Sequence, residues 1–217
     1  MIVVRGLGWV DASGHGSVRL SRKLAGEPSR DAVFSQPFKN FTRMDRVSRV
    51  TCCAAGLAIQ DAGQSYPILP SSLAGIAGTG EYGCLESDRA YFRDYLRGGR
   101  TLGRGNLFIY TLPSSPLAEA AIHFGLGGLL VYIRKPQGRV AAALDAAVSV
   151  MDDSVVSLML AGGATEDSAI YAVIGRDADA GSDPLCSLDE ARAILALDLT
   201  VAGTVTEFER LRSGRVR

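Results

Sequence analysis

The sequence is short of histidine, with only His15 and His123 among its 217 residues. A nucleophile activated by histidine would have to use one of these two, and a zinc site built on histidines is disfavoured. The cysteines, two of them adjacent and two isolated, have neither a metal-ligand spacing nor the pattern of a disulfide framework. They are Cys52, Cys53, Cys84 and Cys186. The composition therefore predicts a protein without a metal or other cofactor.

The sequence also lacks net charge and long apolar runs. Its 23 basic residues balance 23 acidic ones, so no long-range field attracts nucleic acid or an anionic membrane. Apolar runs such as 126–133 and 155–163 fall well short of the roughly 20 residues that cross a bilayer. The first residues lack the basic head and apolar middle of a signal peptide. These absences predict a cytoplasmic protein with no membrane span and no nucleic-acid partner.

Periodicity indicates alternating helices and strands. Apolar residues spaced by three and four predict helices, and short apolar runs predict strands. The predicted helices are 44–62, 86–96, 114–124 and 140–151, and the predicted strands are 2–4, 73–79, 129–133, 155–161 and 170–174. Such alternation predicts an α/β layered fold with a mostly parallel central sheet.

Two further features complete the organisation of the chain. Residues 1–184 form the main domain, and residues 185–217 supply closing strands, at 192–199 and 201–208, and a tail. Gly6 and Gly8 superficially resemble a dinucleotide fingerprint, but the third glycine and the helix start are missing from the residues that follow. A Rossmann fold is therefore disfavoured.

Several short motifs occur in an order that resembles the β-ketoacyl synthases, which have the thiolase-like fold. They are VVRGLG at 3–8, the helix at 44–63, GIAGTGEYG at 75–83 followed by Leu85-Glu86, TLP at 111–113 leading to AIHFGLGG at 121–128, and LAGGA at 160–164. The resemblance covers roughly residues 1–175. It implies a layered αβα half-fold, the N-terminal half of a family fold that has two related halves.

The resemblance implies that the nucleophile of the active enzymes is missing. In active members a strand runs into a sharp turn that carries a cysteine at a helix start, where its pKa is lowered. Counting from Gly128 places Gln137 at that position, and an amide cannot form an acyl thioester. The family's two catalytic histidines belong to its second half, and no histidine follows His123.

The resemblance therefore points to a catalytically silent subunit similar to a chain-length factor. Such a subunit pairs with an active β-ketoacyl-ACP synthase and shapes its acyl pocket in polyketide, aryl polyene or fatty-acid biosynthesis, with transient contact to an acyl carrier protein. By the same resemblance, the dimer interface comprises Leu129, Val131, Tyr132 and Ile133, whether the dimer is a homodimer or a heterodimer, and the acyl-tunnel gate comprises Phe108, Tyr110, Thr111 and Leu112.

Alternative interpretations stay open for individual residues and for the whole chain. Gln137 is also compatible with a simple turn residue in a diverged scaffold. Cys84 is a displaced nucleophile or, by its expected apolar setting, a small buried hydrophobe, and His123 is a base or a packed histidine. The alternative function is a stand-alone malonyl-ACP decarboxylase or acyltransferase that uses residues not recognised in the sequence.

Overall fold

The structure is a computed structural model that describes residues 1–101, 103–135, 137–177 and 183–215. The strands are β1 (Ile2–Asp11), β2 (Gly14–Ser17), β3 (Arg22–Ala25), β4 (Ala74–Gly80), β5 (Leu130–Ile133), β6 (Leu158–Ala164), β7 (Ala169–Arg176) and β8 (Cys186–Ser187). The helices are α1 (Arg30–Val33), α2 (Arg46–Asp61), α3 (Leu85–Arg97), α4 (Gly105–Phe108), α5 (Ser115–Phe124), α6 (Arg139–Asp153), α7 (Leu188–Leu195) and α8 (Val201–Arg215). The α/β class is confirmed.

One sheet has the strand order β3-β2-β1-β7-β6-β4-β5, and β8 pairs with β1. The sheet is mixed: β4 is parallel to β5 and to β6, whereas the other pairs are antiparallel. Turns of a few residues join β6 to β7 and β1 to β2, and such short connections only permit antiparallel neighbours. Parallel pairing is thus confined to β4, β5 and β6, where helices make the crossovers.

Helices cover both faces of the sheet, which gives the layered αβα arrangement. On one face α2 and α5 enclose a core that contains Leu57, Phe124 and Tyr171. On the other face α6, α7 and α8 enclose a second core that contains Leu144 and Phe208. No helix among the described residues is long and apolar enough to cross a membrane.

The prediction of closing strands at 192–199 and 201–208 is wrong. These residues lie mainly in α7 and α8, and the only strand in the described part of 185–217 is the two-residue β8. A capping box starts α7, with Ser187 and Glu190 bonding reciprocally. The apolar residues that pack inward are spaced by three or four, as at Val205 and Phe208, and Phe208 is only 1% exposed. Segment 188–215 therefore closes the second core, but as helices.

The N-terminal strand is longer than predicted. β1 extends through Asp11 and forms a hairpin with β2, which places His15 in a strand. Glycines at Gly14 and Gly16 hid this strand, because they remove the alternation of apolar side chains that indicates one. A Cβ at either glycine would meet main-chain atoms of β3, so both are required for the three strands to pack.

Gly6 and Gly8 allow α2 to lie directly on β1. A Cβ on Gly8 would overlap main-chain atoms of Ala54 and Ala58, and one on Gly6 would overlap the amide of Ala62. The Gly-x-Gly pattern is thus a contact between helix and strand, which agrees with the rejection of a nucleotide site.

The buried carboxylate of Asp61 fixes the end of α2 against neighbouring main chain. It accepts hydrogen bonds from the amides of Leu7 at 2.8 Å, Arg19 at 2.9 Å and Leu20 at 2.8 Å. Since buried polar groups need such partners, these bonds tie the last turn of α2 to β1 and to the segment after β2.

We expect Gly8→Ala to destabilise the fold by about 3 kcal/mol, because the new methyl would force α2 away from the sheet. The matched control is Gly105→Ala, where a Cβ meets nothing within 4 Å and the effect should stay within about 1 kcal/mol. Urea denaturation of both variants measures the difference. Equal stability of the two would contradict the proposed close contact.

Candidate functional site

The carboxyl ends of the parallel strands meet at one edge of the sheet, which is where ligands bind in parallel α/β sheets. A cleft of about 320 Å³ lies there, beyond the ends of β4 and β6. Its walls include Glu81, Cys84, Thr165 and Glu166, with Val47 from the first turn of α2. A second cleft of about 300 Å³ shares Val47 and Glu166 and reaches Tyr110.

Gln137 lies after β5 at this edge, exposed to solvent and two residues before the start of α6. Gly138 precedes the helix in the left-handed conformation, with φ of 59°, which glycine adopts without steric strain. A bend at residues 137 and 138 thus precedes α6, and position 137 carries an exposed amide side chain.

An ion pair spans the strand ends beside this turn. Arg139, the first residue of α6, lies 3.6 Å from the Glu81 carboxylate, which follows β4. Sequence reasoning did not identify Glu81, although an acidic residue directly after a predicted buried strand was the available signal. The pair joins the segment of Gln137 to the wall of the cleft that contains Cys84.

Cys84 is not the buried hydrophobe that was expected, because its side chain is only half-buried at the start of α3. Its Sγ donates to the carbonyl oxygen of Thr111 at 2.8 Å and approaches the carboxylate of Asp88 at 3.3 Å. Burial, together with Asp88, raises the pKa of the Cys84 thiol to about 11. A thiol held in its protonated form is a poor nucleophile.

Both histidines are packed in the body of the protein. His15 is 3% exposed, and its Nδ1 lies 3.0 Å from the Gly26 carbonyl oxygen. The ring of His123 stacks on Phe38 with centroids 3.7 Å apart, and burial lowers the pKa of His123 to about 4. Neither ring lines the two clefts, and the described residues contain no group of three or more potential metal ligands.

The four predicted gate residues differ in how far they are buried. Tyr110 is 8% exposed, and its hydroxyl donates to Glu119 at 3.0 Å; burial raises its pKa. Phe108 and Leu112 are 55% and 56% exposed, while the Thr111 hydroxyl donates to the Phe108 carbonyl oxygen at 2.7 Å. Tyr110 thus belongs to this chain's own core, whereas Phe108 and Leu112 present apolar surface to the outside.

The predicted interface strand β5 lies at the edge of the sheet and, among the described strands, pairs with β4 alone. Val131 packs towards the α6 side and Tyr132 towards the α2 side, and both are half-buried together with Ile133. Leu129, just before the strand, is 52% exposed. β5 has no charged side chain. The strand at the opposite edge, β3, carries Arg22 and Lys23, and such charges protect an edge strand from pairing with another chain.

No protein-family model and no curated protein matches the sequence, but solved structures match the fold. The ishigamide ketosynthase/chain length factor matches with a TM-score of 0.65 and 15% identity over 97% of this chain and 81% of that chain. A ketosynthase in complex with its chain length factor from Xenorhabdus doucetiae gives a TM-score of 0.56 and 10% identity over 80% and 79%.

A third structure contains a type II polyketide synthase acyl-carrier protein in complex with its ketosynthase bound to the hexaketide. It matches with a TM-score of 0.66 and 15% identity over 86% of this chain and 67% of that chain. This chain therefore has the thiolase-like fold of the β-ketoacyl synthases, as the sequence motifs predicted. The solved structures that share it include complexes of a ketosynthase with its chain length factor.

We expect a thiol placed at position 137 to be far more reactive than Cys84. In Gln137→Cys the thiol would lie at the start of α6, where unpaired amides and nearby cations lower a thiol pKa. Alkylation by iodoacetamide at pH 7, followed by mass spectrometry, should be on the order of 100-fold faster at residue 137. Cys84 should react appreciably only as the pH approaches about 11. Equal rates at pH 7 would contradict the helix-start geometry.

Proposed function

We propose that the chain is a catalytically silent, chain-length-factor-like subunit that pairs with an active β-ketoacyl-ACP synthase. The observation that carries the proposal is the exposed amide of Gln137 at the turn into α6, in a fold shared with ketosynthase and chain length factor complexes. The protonated thiol of Cys84 and the packed rings of His15 and His123 support it, because none of them offers an activated nucleophile or base.

The same proposal includes a biosynthetic pathway for the subunit. The subunit would act in polyketide or aryl polyene biosynthesis, or in fatty-acid biosynthesis, where a carrier protein presents the growing chain to the synthase. Its own contribution would be structural: it completes the synthase dimer and limits the length of the acyl chain.

We expect the purified chain to release no carbon dioxide and to form no acyl-enzyme when it is incubated with malonyl-carrier protein. Condensation should appear only when a cognate ketosynthase is added. The measurement is decarboxylation and product formation by mass spectrometry for the chain alone, the ketosynthase alone and the pair. Turnover by the chain alone would favour the stand-alone decarboxylase or acyltransferase instead.

The partner would pair with β5 through Leu129, Val131, Tyr132 and Ile133. The Ile76 amide donates to the Leu129 carbonyl oxygen at 3.0 Å, and Ile76 lies opposite Leu130 in the register. In a parallel ladder the main-chain groups of Leu130 then point away from β4. An uncharged edge with free main-chain groups supports strand pairing with a second protein.

We expect Leu130→Pro to weaken the pairing with the ketosynthase at least about tenfold. The substitution removes the outward-pointing N–H of residue 130, which would donate a hydrogen bond to the partner strand. Leu130→Ala retains the N–H and serves as the control. Binding by surface plasmon resonance and melting temperature are measured for both variants. The β5 assignment fails if Leu130→Pro binds as tightly as Leu130→Ala while keeping its fold.

Of the four predicted gate residues, Phe108 and Leu112 are the exposed ones that would form the wall of the tunnel. Their apolar side chains project outside this chain's core, which suits a wall for a partner's acyl tunnel. Each further methylene would lose a burial worth about 0.8 kcal/mol and meet overpacking of about 1 to 3 kcal/mol. Tyr110 would support the wall from within, since it is buried against Glu119.

We expect Leu112→Ala in the reconstituted pair to shift the products to longer chains at little cost in melting temperature. Tyr110→Ala is the contrasting variant, which should lower the stability by a few kcal/mol because it empties a buried site. Product lengths are measured by mass spectrometry. An unchanged distribution from a folded, paired Leu112→Ala protein would eliminate the gate assignment.

A further inference from the structure

The two ends of the edge strand β5 differ in charge. Arg134 and Lys135 follow its carboxyl end, and both are exposed. Neither takes part in an ion pair within the part of the chain that the structure describes. The nearest cation along the chain, Arg139, is already paired with Glu81. In the described part of the chain, Glu81 at this end is thus engaged by Arg139, and no carboxylate forms an ion pair with Arg134 or Lys135.

The amino end of β5 carries no charge. Residues 120–133 contain no Asp, Glu, Lys or Arg, and neither do residues 65–77, which bond to them through Gly127, Gly128 and Leu129. The neighbouring Glu119 is engaged with the Tyr110 hydroxyl. The two carboxylates at the end of α6, Asp152 and Asp153, precede β6, and β4 separates β6 from β5 in the sheet.

A two-fold axis perpendicular to the sheet makes paired edge strands antiparallel, so each carboxyl end faces the partner's amino end. In any register centred on β5, Arg134 and Lys135 of one copy would face residues 128–130 of the other. A dimer of two identical chains would thus place its cations against Leu129 and Leu130, with no carboxylate to receive them. Such a mismatch disfavours the identical partner.

We propose that Arg134 and Lys135 select against a second copy of this chain and in favour of a partner whose pairing strand carries Asp or Glu near its amino end. The inference rests on the proposed function for the existence of a partner and adds the chemistry that the partner must present. Opposite charges across paired strands stabilise them, whereas unpaired charges at a buried edge weaken the wrong pairing.

The test creates the missing carboxylate in this chain and needs no identified partner. The wild-type chain should be monomeric at micromolar concentration in light scattering coupled to size-exclusion chromatography. Leu129→Glu, at a site that is 52% exposed, should roughly double the measured mass, and added salt should reverse the change. Leu129→Gln introduces a side chain of the same shape as that in Leu129→Glu but without the charge, and this variant should remain monomeric. Leu129→Asp repeats the test if Leu129→Glu melts early.

A triple variant, Leu129→Glu with Arg134→Ser and Lys135→Ser, separates charge pairing from other causes of association. It should return to the monomer. The inference is overturned by a wild-type homodimer, by a folded acidic variant that stays monomeric, or by a triple variant that still dimerises. Each of these results concerns assembly alone, whereas the proposed silent role fails only if the isolated chain turns over malonyl-carrier protein.

Discussion

The direct contact between α2 and β1 sets where α2 lies on the sheet, and with it one wall of the candidate site. Because Gly6 and Gly8 lack side chains, the helix lies against the strand's main chain, and Asp61 then anchors its last turn through three amides. The first turn of α2 is fixed by the same contact, so Val47 becomes a wall of both clefts. α5 packs on α2 in turn, which holds His123 in its stack with Phe38.

The faces and edges of the sheet are covered or protected to different degrees. One face is covered by α2 and α5, the other by α6 with α7 and α8, and the charged strand β3 ends one edge. Among the described strands, β5 alone combines an edge position with an apolar sequence. Exposed apolar side chains lie within the segment from β4 to β5, at Leu112, and at its end, at Leu129.

The sequence allowed the helices and central strands to be predicted because their apolar spacing is regular over many residues, as in α2 and α6. It did not reveal α7 and α8, whose inward-facing residues are few and separated by polar ones, so short apolar groups such as Ala193-Ile194-Leu195 looked like strands. The β1–β2 hairpin was missed because glycines replace its alternating side chains.

At the candidate site, the position of Gln137 was predicted from the family resemblance, by counting along the chain from Gly128. The hydrogen bond of the Cys84 thiol to Thr111 was not, since it joins residues far apart in the sequence. The ion pair of Arg139 with Glu81 was hidden for the same reason. Burial of Tyr110 among exposed neighbours depends on how the segment folds back onto α5, which local sequence does not encode.

The left-handed conformation of Gly138 has a consequence for how such a chain can change over generations. The turn into α6 is determined by this glycine, so the side chain one position earlier has no part in forming the helix start. The residue at position 137 and the geometry that starts α6 can therefore vary independently. A substitution there would change the chemistry of an exposed side chain and leave the glycine that begins the helix in place.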